Sequence, residues 1–331
     1  MAQGPTIYDV ARAAGVAPST VSRAFTKPGR VSAATSARIF AAAAELGYRS
    51  ASATTNAPNL TKSIGLVVAD ITNPFYFEII RGAHDAAAQA GFTVILSHTG
   101  ESGAVERITA ERTLGLAEGL LLASPRMSDN AIRAVAKNKP VVVLNRRIPD
   151  VVGILTDNVR GIRRAVAHLR GHRHNQIVYL AGPESSWADS ARWRALVDVA
   201  GELGLHIRRL GPNPPTIQAG FAAARELKTL SATACITYND QLAVGLIRGL
   251  RAHRIRVPED MSVVGHDNIL HTELVSPTIT TVGAPLHLMG ATAARTLINL
   301  IGGQPPASYL KVMPIELFQR ESSGPAPLKR Q

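Results

Sequence analysis

The chain has 331 residues, 46% of them hydrophobic and 18% charged, which is too long for one small domain and too apolar for a disordered chain. A formal net charge of +12 favours a polyanion such as nucleic acid, or an anionic surface. A single cysteine, Cys235, excludes an internal disulfide and fits a reducing compartment. The start MAQGPTIYDV lacks the basic-then-apolar layout of a secretory signal, and no apolar run approaches the roughly 20 residues of a membrane span. These features predict a soluble, cytoplasmic protein with no membrane partner.

The positive charge is concentrated at the start. Residues 1–62 carry seven Lys/Arg against two acids, a charge density well above that of the remainder. Thr6 and Asp9 have capping-box spacing and predict a helix from Ile7 to about Ala13. Gly15 supplies a tight turn and Val16 fills the space between two short helices. A second helix follows from Pro18 to Phe25, with proline in the first turn, where its missing N–H costs nothing. Val10, Ala11, Val16 and Val21 share an inward face, while Ser19, Ser22 and Arg23 share an outward, polar one. A third helix starts at Ser32 and stops at Gly47, as a C-cap. Helix, glycine turn and polar second helix is the arrangement that sets a recognition helix in the major groove.

The run TIYDVARAAGVAPSTVSRAFTKPGRVSAATSARIFAAAAELGYR resembles the DNA-binding headpiece of the LacI family of bacterial regulators. Thr6, Asp9, Val10, Ala11, Gly15, Val16, Thr20, Val21, Ser22, Leu46, Gly47 and Tyr48 all fall at family positions. The resemblance implies base contacts from Pro18, Ser19 and Arg23, with Arg23 gripping a guanine bidentately and Pro18 offering only an apolar contact. It implies phosphate contacts from Thr6, Thr20 and Ser22. In the family a hinge follows, whose leucine wedges into the minor groove. Here RSASATTNAPNLTKSI places Leu60 in an Ala-x-x-Leu turn that is displaced, while alignment from Tyr48 puts Ala57, too small to unstack bases, at the wedge. A short displaced hinge helix with Leu60 as wedge and a flexible Ser/Thr/Asn linker both fit this segment.

From Ile64 onward, IGLVVAD, FTVILSH, GLLLAS, PVVVLN, QIVYLAG, ACITYND and SVVGHD read as strands separated by helical segments such as FYFEIIRGAHDAAAQAG and GIRRAVAHLRGH. Continuous Val/Ile/Leu strands between helices mean a parallel sheet covered on both faces, and this length predicts two such lobes with a cleft. The expected architecture is a small all-α helix-turn-helix headpiece at 1–49, a linker at 50–63, an α/β sensor of two parallel-sheet lobes at 64–320 and a flexible tail at 321–331. Ligands in such folds bind at the carboxyl ends of strands. Reading the polar residues there selects Asn73, Phe75 and Tyr76, then Arg146, Trp187 and Arg192, then Asn239, Asp240 and Asp267. Carboxylates and guanidiniums bind hydroxyl groups in pairs and aromatics stack on a sugar's apolar face, so this set suits a polyhydroxylated ring.

The same region resembles the LacI-family sensor, which is similar to periplasmic sugar-binding proteins, at ITNPFYFEIIRGAHDAA, DNVRG, GHRHNQIVYLAGP and VPEDMSVVGHDNI. It departs at Asn145, where an acid is common, and at His266, where Phe precedes Asp267. The resemblance implies a regulator that binds double-stranded operator DNA as a homodimer and responds to a sugar-like effector, with a nucleoside or purine as the alternative. A sugar-capturing transport protein is disfavoured by residues 1–62. An enzyme is disfavoured because no nucleophile–base motif, phosphate loop or HExxH appears, so no catalytic residue, metal ligand or cofactor is expected. His172 and His174 alone are too few ligands for zinc.

Overall fold

A computed structural model describes residues 5–26, 29–46, 48 and 62–327. The chain divides into two compact units, Met1–Thr61 and Lys62–Gln331. In the first, α1 (Ile7–Ala14), α2 (Pro18–Thr26) and α3 (Ala33–Leu46) enclose a small core. The Thr6 backbone N–H and hydroxyl both donate to the Asp9 carboxylate, at 2.9 and 2.6 Å, which starts α1. Gly15 ends it at φ 64°, a left-handed conformation that a side chain would strain. Val10, Ala11, Val21, Ile39, Ala42 and Ala43 are buried, and Val16, Phe25 and Tyr48 pack against them. Phe25 meets the Phe40 and Tyr48 rings edge-on, which draws the end of α2 onto α3. Gly47, Ala57 and Leu60 lie outside the described residues.

The second unit begins with β1 (Lys62–Val68), α4 (Phe75–Gln89), β2 (Phe92–His98), α5 (Gly103–Leu116), β3 (Leu120–Ala123), α6 (Asp129–Ala136), β4 (Val141–Leu144) and β5 (Val152–Thr156). It continues with α7 (Asn158–Gly171), β6 (Gln176–Leu180), α8 (Trp187–Leu203), β7 (His206–Leu210), α9 (Ile217–Leu227), β8 (Ala234–Thr237), α10 (Asp240–Ala252) and β9 (Ser262–Asp267). It closes with α11 (His271–Leu274), β10 (Thr280–Gly283), α12 (Leu286–Ile301), β11 (Leu310–Met313) and β12 (Glu316–Phe318). One sheet has the order β11-β5-β4-β3-β1-β2 and the other β12-β10-β9-β8-β6-β7. All pairings are parallel except that of β10 with β12. The chain therefore passes between the sheets after β5, after β10 and after β11. Strands such as β3, β4 and β8 are buried along their whole length, because helices cover both faces.

The segment expected to be a free tail is held in place as far as residue 327. Val263 N–H donates to the Ser322 carbonyl at 2.7 Å and the Ser322 hydroxyl donates to the Val263 carbonyl at 2.6 Å, so the segment is tied to the start of β9. His174 is fully buried beneath it, with Nε2 2.9 Å from the Gly324 carbonyl and Nδ1 2.8 Å from the Thr233 hydroxyl. Burial lowers its pKa, so the ring is a neutral tie between segments.

Helices α9 and α10 cross at glycines, as do α4 and α12. A Cβ on Gly245 would overlap the Ile217 carbonyl oxygen, and one on Gly220 the Leu242 carbonyl oxygen. Gly245→Ala is therefore expected to cost about 1–3 kcal/mol of sensor stability in a urea titration, by forcing the helices apart. An unchanged midpoint would mean that the two backbones do not approach this closely.

Candidate functional site

Two surfaces carry chemistry, one in each unit. In the first, the Thr20 and Val21 N–H groups reach the Ala17 carbonyl at 2.8 and 3.2 Å, so α2 starts at Pro18. Val21 and Ala24 point inward, which leaves Ser19 and Arg23 exposed on one face, four residues apart. Pro18, Thr20 and Ser22 are half-buried beside them. The Thr6 hydroxyl, expected to face phosphate, is occupied by Asp9. The exposed face of α2 thus offers a guanidinium and a hydroxyl on a helix whose opposite face is locked into the core.

In the second unit, the carboxyl ends of β3, β4, β8 and β9 and the starts of α4 and α8 converge on one cavity. Its walls are Asn73, Phe75, Tyr76, Ser124, Arg126, Asn145, Ala188, Arg192, Tyr238, Asn239 and Asp267. In this closed arrangement it holds about 20 Å³, room for a single water. A ring-sized ligand therefore enters only as the lobes part.

Arg192 is the best-anchored group. Its Nε donates to Asn158 Oδ1 at 2.9 Å, Nη1 donates to the Tyr238 carbonyl, and Nη2 lies 3.5 Å from Asp267 Oδ1. Its plane also stacks over the Tyr238 ring at 5.2 Å. Burial pushes the Asp267 carboxyl up to about 7, against the opposing pull of Arg192. His266 is held well below its ordinary pKa by burial and by Arg192, so it is neutral at 3.2 Å from Asp267. Asn73 Oδ1 accepts from Phe75 N–H at 3.1 Å and Asn239 Oδ1 from Leu242 N–H at 3.0 Å, so both amides cap helices at the cavity wall. Asn145 Nδ2 donates to the Ser124 hydroxyl at 3.2 Å, which leaves its buried Oδ1 without a partner. Ser124 (φ 57°), Asn145 (φ 58°) and Asp267 (φ 114°) all have left-handed backbones, a strain that tends to collect at binding sites.

Of the residues expected from the sequence, the cavity brings together Asn73, Phe75, Tyr76, Arg192, Asn239 and Asp267. Three others lie elsewhere. Arg146 turns away from the cavity and binds the Pro125 and Met127 carbonyls and Asp129, stitching the β3–α6 connection. Asp240 is fully buried and does not line the cavity. It accepts from Ile269 N–H at 3.0 Å and the Thr281 hydroxyl at 2.6 Å, and burial beside Asp267 raises its pKa well above the usual range. Its task is to brace the turn that presents Asp267. Trp187 is half-buried at the start of α8, where Ala188 takes the wall position. The sequence reading also missed Ser124, Arg126, Asn145 and Tyr238. The run Ser-Pro-Arg directly after LLLA had the same signal as the others and was passed over.

Comparison with known proteins fits both surfaces. Residues 6–50 match the bacterial regulatory proteins of the lacI family, and residues 166–323 a periplasmic binding protein-like domain. The HTH-type transcriptional repressor CytR of Escherichia coli is 30% identical over 97% of this chain and 97% of its own. A crystal structure of the lac repressor dimer bound to operator and the anti-inducer ONPF is 27% identical, with a TM-score of 0.76 over 97% of this chain and 100% of that one. A LacI family transcriptional regulator from Enterococcus faecium with bound ribose is 30% identical, with a TM-score of 0.72 over 81% of this chain and 100% of that one. Among the described residues no helix is long and apolar enough to cross a membrane, and no cluster of three metal-binding side chains occurs.

The raised Asp267 carboxyl has a measurable signature. Between about pH 4, where a free Asp titrates, and about pH 7 the folded sensor keeps a proton that the unfolded chain has released. The resulting stabilisation is full below that window and is lost as pH rises through it. Relative to Asp267→Asn, the wild-type unfolding free energy should therefore fall from pH 4 to 7 and level off above. A difference that stays flat over this range would show Asp267 to be ionised throughout.

Proposed function

Because the chain belongs to the LacI family of bacterial regulatory proteins, a family of DNA-binding transcription regulators and not of enzymes, we propose that it acts as a repressor, binding a palindromic operator as a homodimer and sensing a sugar or sugar derivative. One short recognition helix reads only a few base pairs, so two related by symmetry are needed for a specific site. On α2, Pro18, Ser19 and Arg23 approach base edges while Thr20 and Ser22 lie toward the phosphates, as does Thr6 ahead of α1. The observation that carries the effector reading is the buried Arg192–Asp267 pair in a wall of amides and aromatic rings. Hydroxyl groups can bond to both members of such a pair, whereas a hydrocarbon would only take water from them. The ribose-bound relative supports the same class. A nucleoside is less favoured: Trp187 is absent from the wall, and in the edge-to-face pair of Phe75 and Tyr76, at 5.0 Å, one ring's face is already covered by the other's edge.

The link between sites follows from closure. A ligand held by residues of both lobes favours the closed cleft, and only a shift between dimer partners can carry that state to the headpieces.

Two outcomes are expected. Arg23→Ala should weaken specific operator binding by about 1–3 kcal/mol and leave random-sequence DNA nearly unaffected in salt-matched titrations. Equal losses on both DNAs would reduce Arg23 to a phosphate contact. In a calorimetric panel of sugars run with and without operator, an active sugar and the DNA should alter each other's affinity by one common factor. A sugar that binds identically in both conditions is not the effector.

A further inference from the structure

The two arginines of the cavity wall are in different states. Arg192 has a partner for each of its three guanidinium nitrogens. Arg126, which follows β3, is as deeply buried, with its side chain 3% exposed. Its backbone N–H donates to Glu106 and its Nε donates to Glu101 at 2.6 Å. Among the described residues nothing accepts from its Nη1 or Nη2. Glu101 meets the charge from outside the cavity, since it is not part of the wall, and its second oxygen is itself unpartnered. Tyr76 and Tyr238 lie beside the guanidinium.

These terminal nitrogens are not among the sealed polar atoms of the protein, so they are open to the cavity that Arg126 lines, and donors held there without a protein acceptor are the kind of feature a ligand satisfies. The two terminal nitrogens are coplanar and spaced to match the two oxygens of a carboxylate or phosphate, a fit that a single hydroxyl does not reproduce. The charge on the wall points the same way, with two guanidiniums against one carboxylate, and that carboxylate is engaged by Arg192.

We propose that Arg126 receives a bidentate oxyanion, so that the effector is an acidic sugar derivative, a sugar carboxylate or a sugar phosphate, and not a neutral sugar. The proposal rests on reading the cavity as a sugar site and narrows the class bound there. Asp267 and Arg192 take the hydroxyl face of the ring, and Arg126 takes the acidic substituent from the opposite lobe. The anion then ties the lobes together through a charge-assisted contact that a neutral sugar lacks.

The test is calorimetry on the full-length protein with matched pairs: glucuronate against glucose, gluconate against glucitol, and ribose 5-phosphate against ribose. At least one anion should bind about tenfold or more tightly than its neutral partner, the factor expected of one charge-assisted contact. Whether the preferred anion is a carboxylate or the phosphate identifies the source of the oxyanion. Arg126→Gln should abolish that preference, lowering the affinity for the acid about tenfold or more beyond any change for its neutral partner. If Arg126→Gln does not fold, Arg126→Lys keeps the charge without the fork, and the wild-type preference stands as the deciding measurement. Neutral members binding as tightly as their acids in every pair, or Arg126→Gln weakening both members equally, would overturn the proposal and leave the sugar reading intact. Failure of all six compounds to bind would remove the sugar reading itself, and the proposal with it.

Discussion

A guanidinium sealed from water has to find an acceptor for each donor, and in this protein one such group organises the sensing site. Arg192 reaches Asn158 at the first crossing between sheets, the carbonyl of Tyr238 at the end of β8, and Asp267 at the end of β9. Three strand and helix ends that are far apart in sequence are thereby set at fixed distances. The pair contributes more to position than to stability. Taking both ions out of water costs about what their attraction returns, whereas removing one partner alone leaves a buried charge and costs several kcal/mol.

The rest of the wall is arranged around that fixed point. Asp267 is presented with a left-handed backbone that no ordinary strand end requires, and Asp240 holds the turn through two hydrogen bonds from the residues that follow. Gly265 has to be glycine for this bracing, because a side chain there would collide with the Asp240 carboxylate. The strained backbone persists because its surroundings over-determine it, and that keeps the carboxylate aimed into the cavity.

The two sheets were readable because their strands are continuous Val/Ile/Leu runs, a pattern only full burial produces. Five strands escaped: HIRRL is half polar because β7 is a sheet edge, β11 and β12 are short edge strands, and the buried β5 (VGILT) and β10 (TTVG) are short and interrupted by Gly and Thr. Within the site, errors came in adjacent pairs. Asn145 lines the cavity where Arg146 was expected, and Asn239 does so where Asp240 was also expected. Neighbouring residues leaving a strand point to opposite sides, so the correct strand end can still yield the wrong member of a pair. Arg146 and Asp240, the charged members of these pairs, hold loops behind the wall.

The interleaving of the sheets bears on how the protein is made. The edges of both sheets are filled from the end of the chain, β11 lying against β5 and β12 against β10. A ribosome working from the N-terminus thus releases β5 and β10 without their outer partners, and pairs neither until the segment carrying β11 and β12 emerges. Bare edges of this kind pair readily with other chains, and closure here waits on contacts between distant parts of the sequence. Until then β5 and β10 are two further strand edges open to pairing.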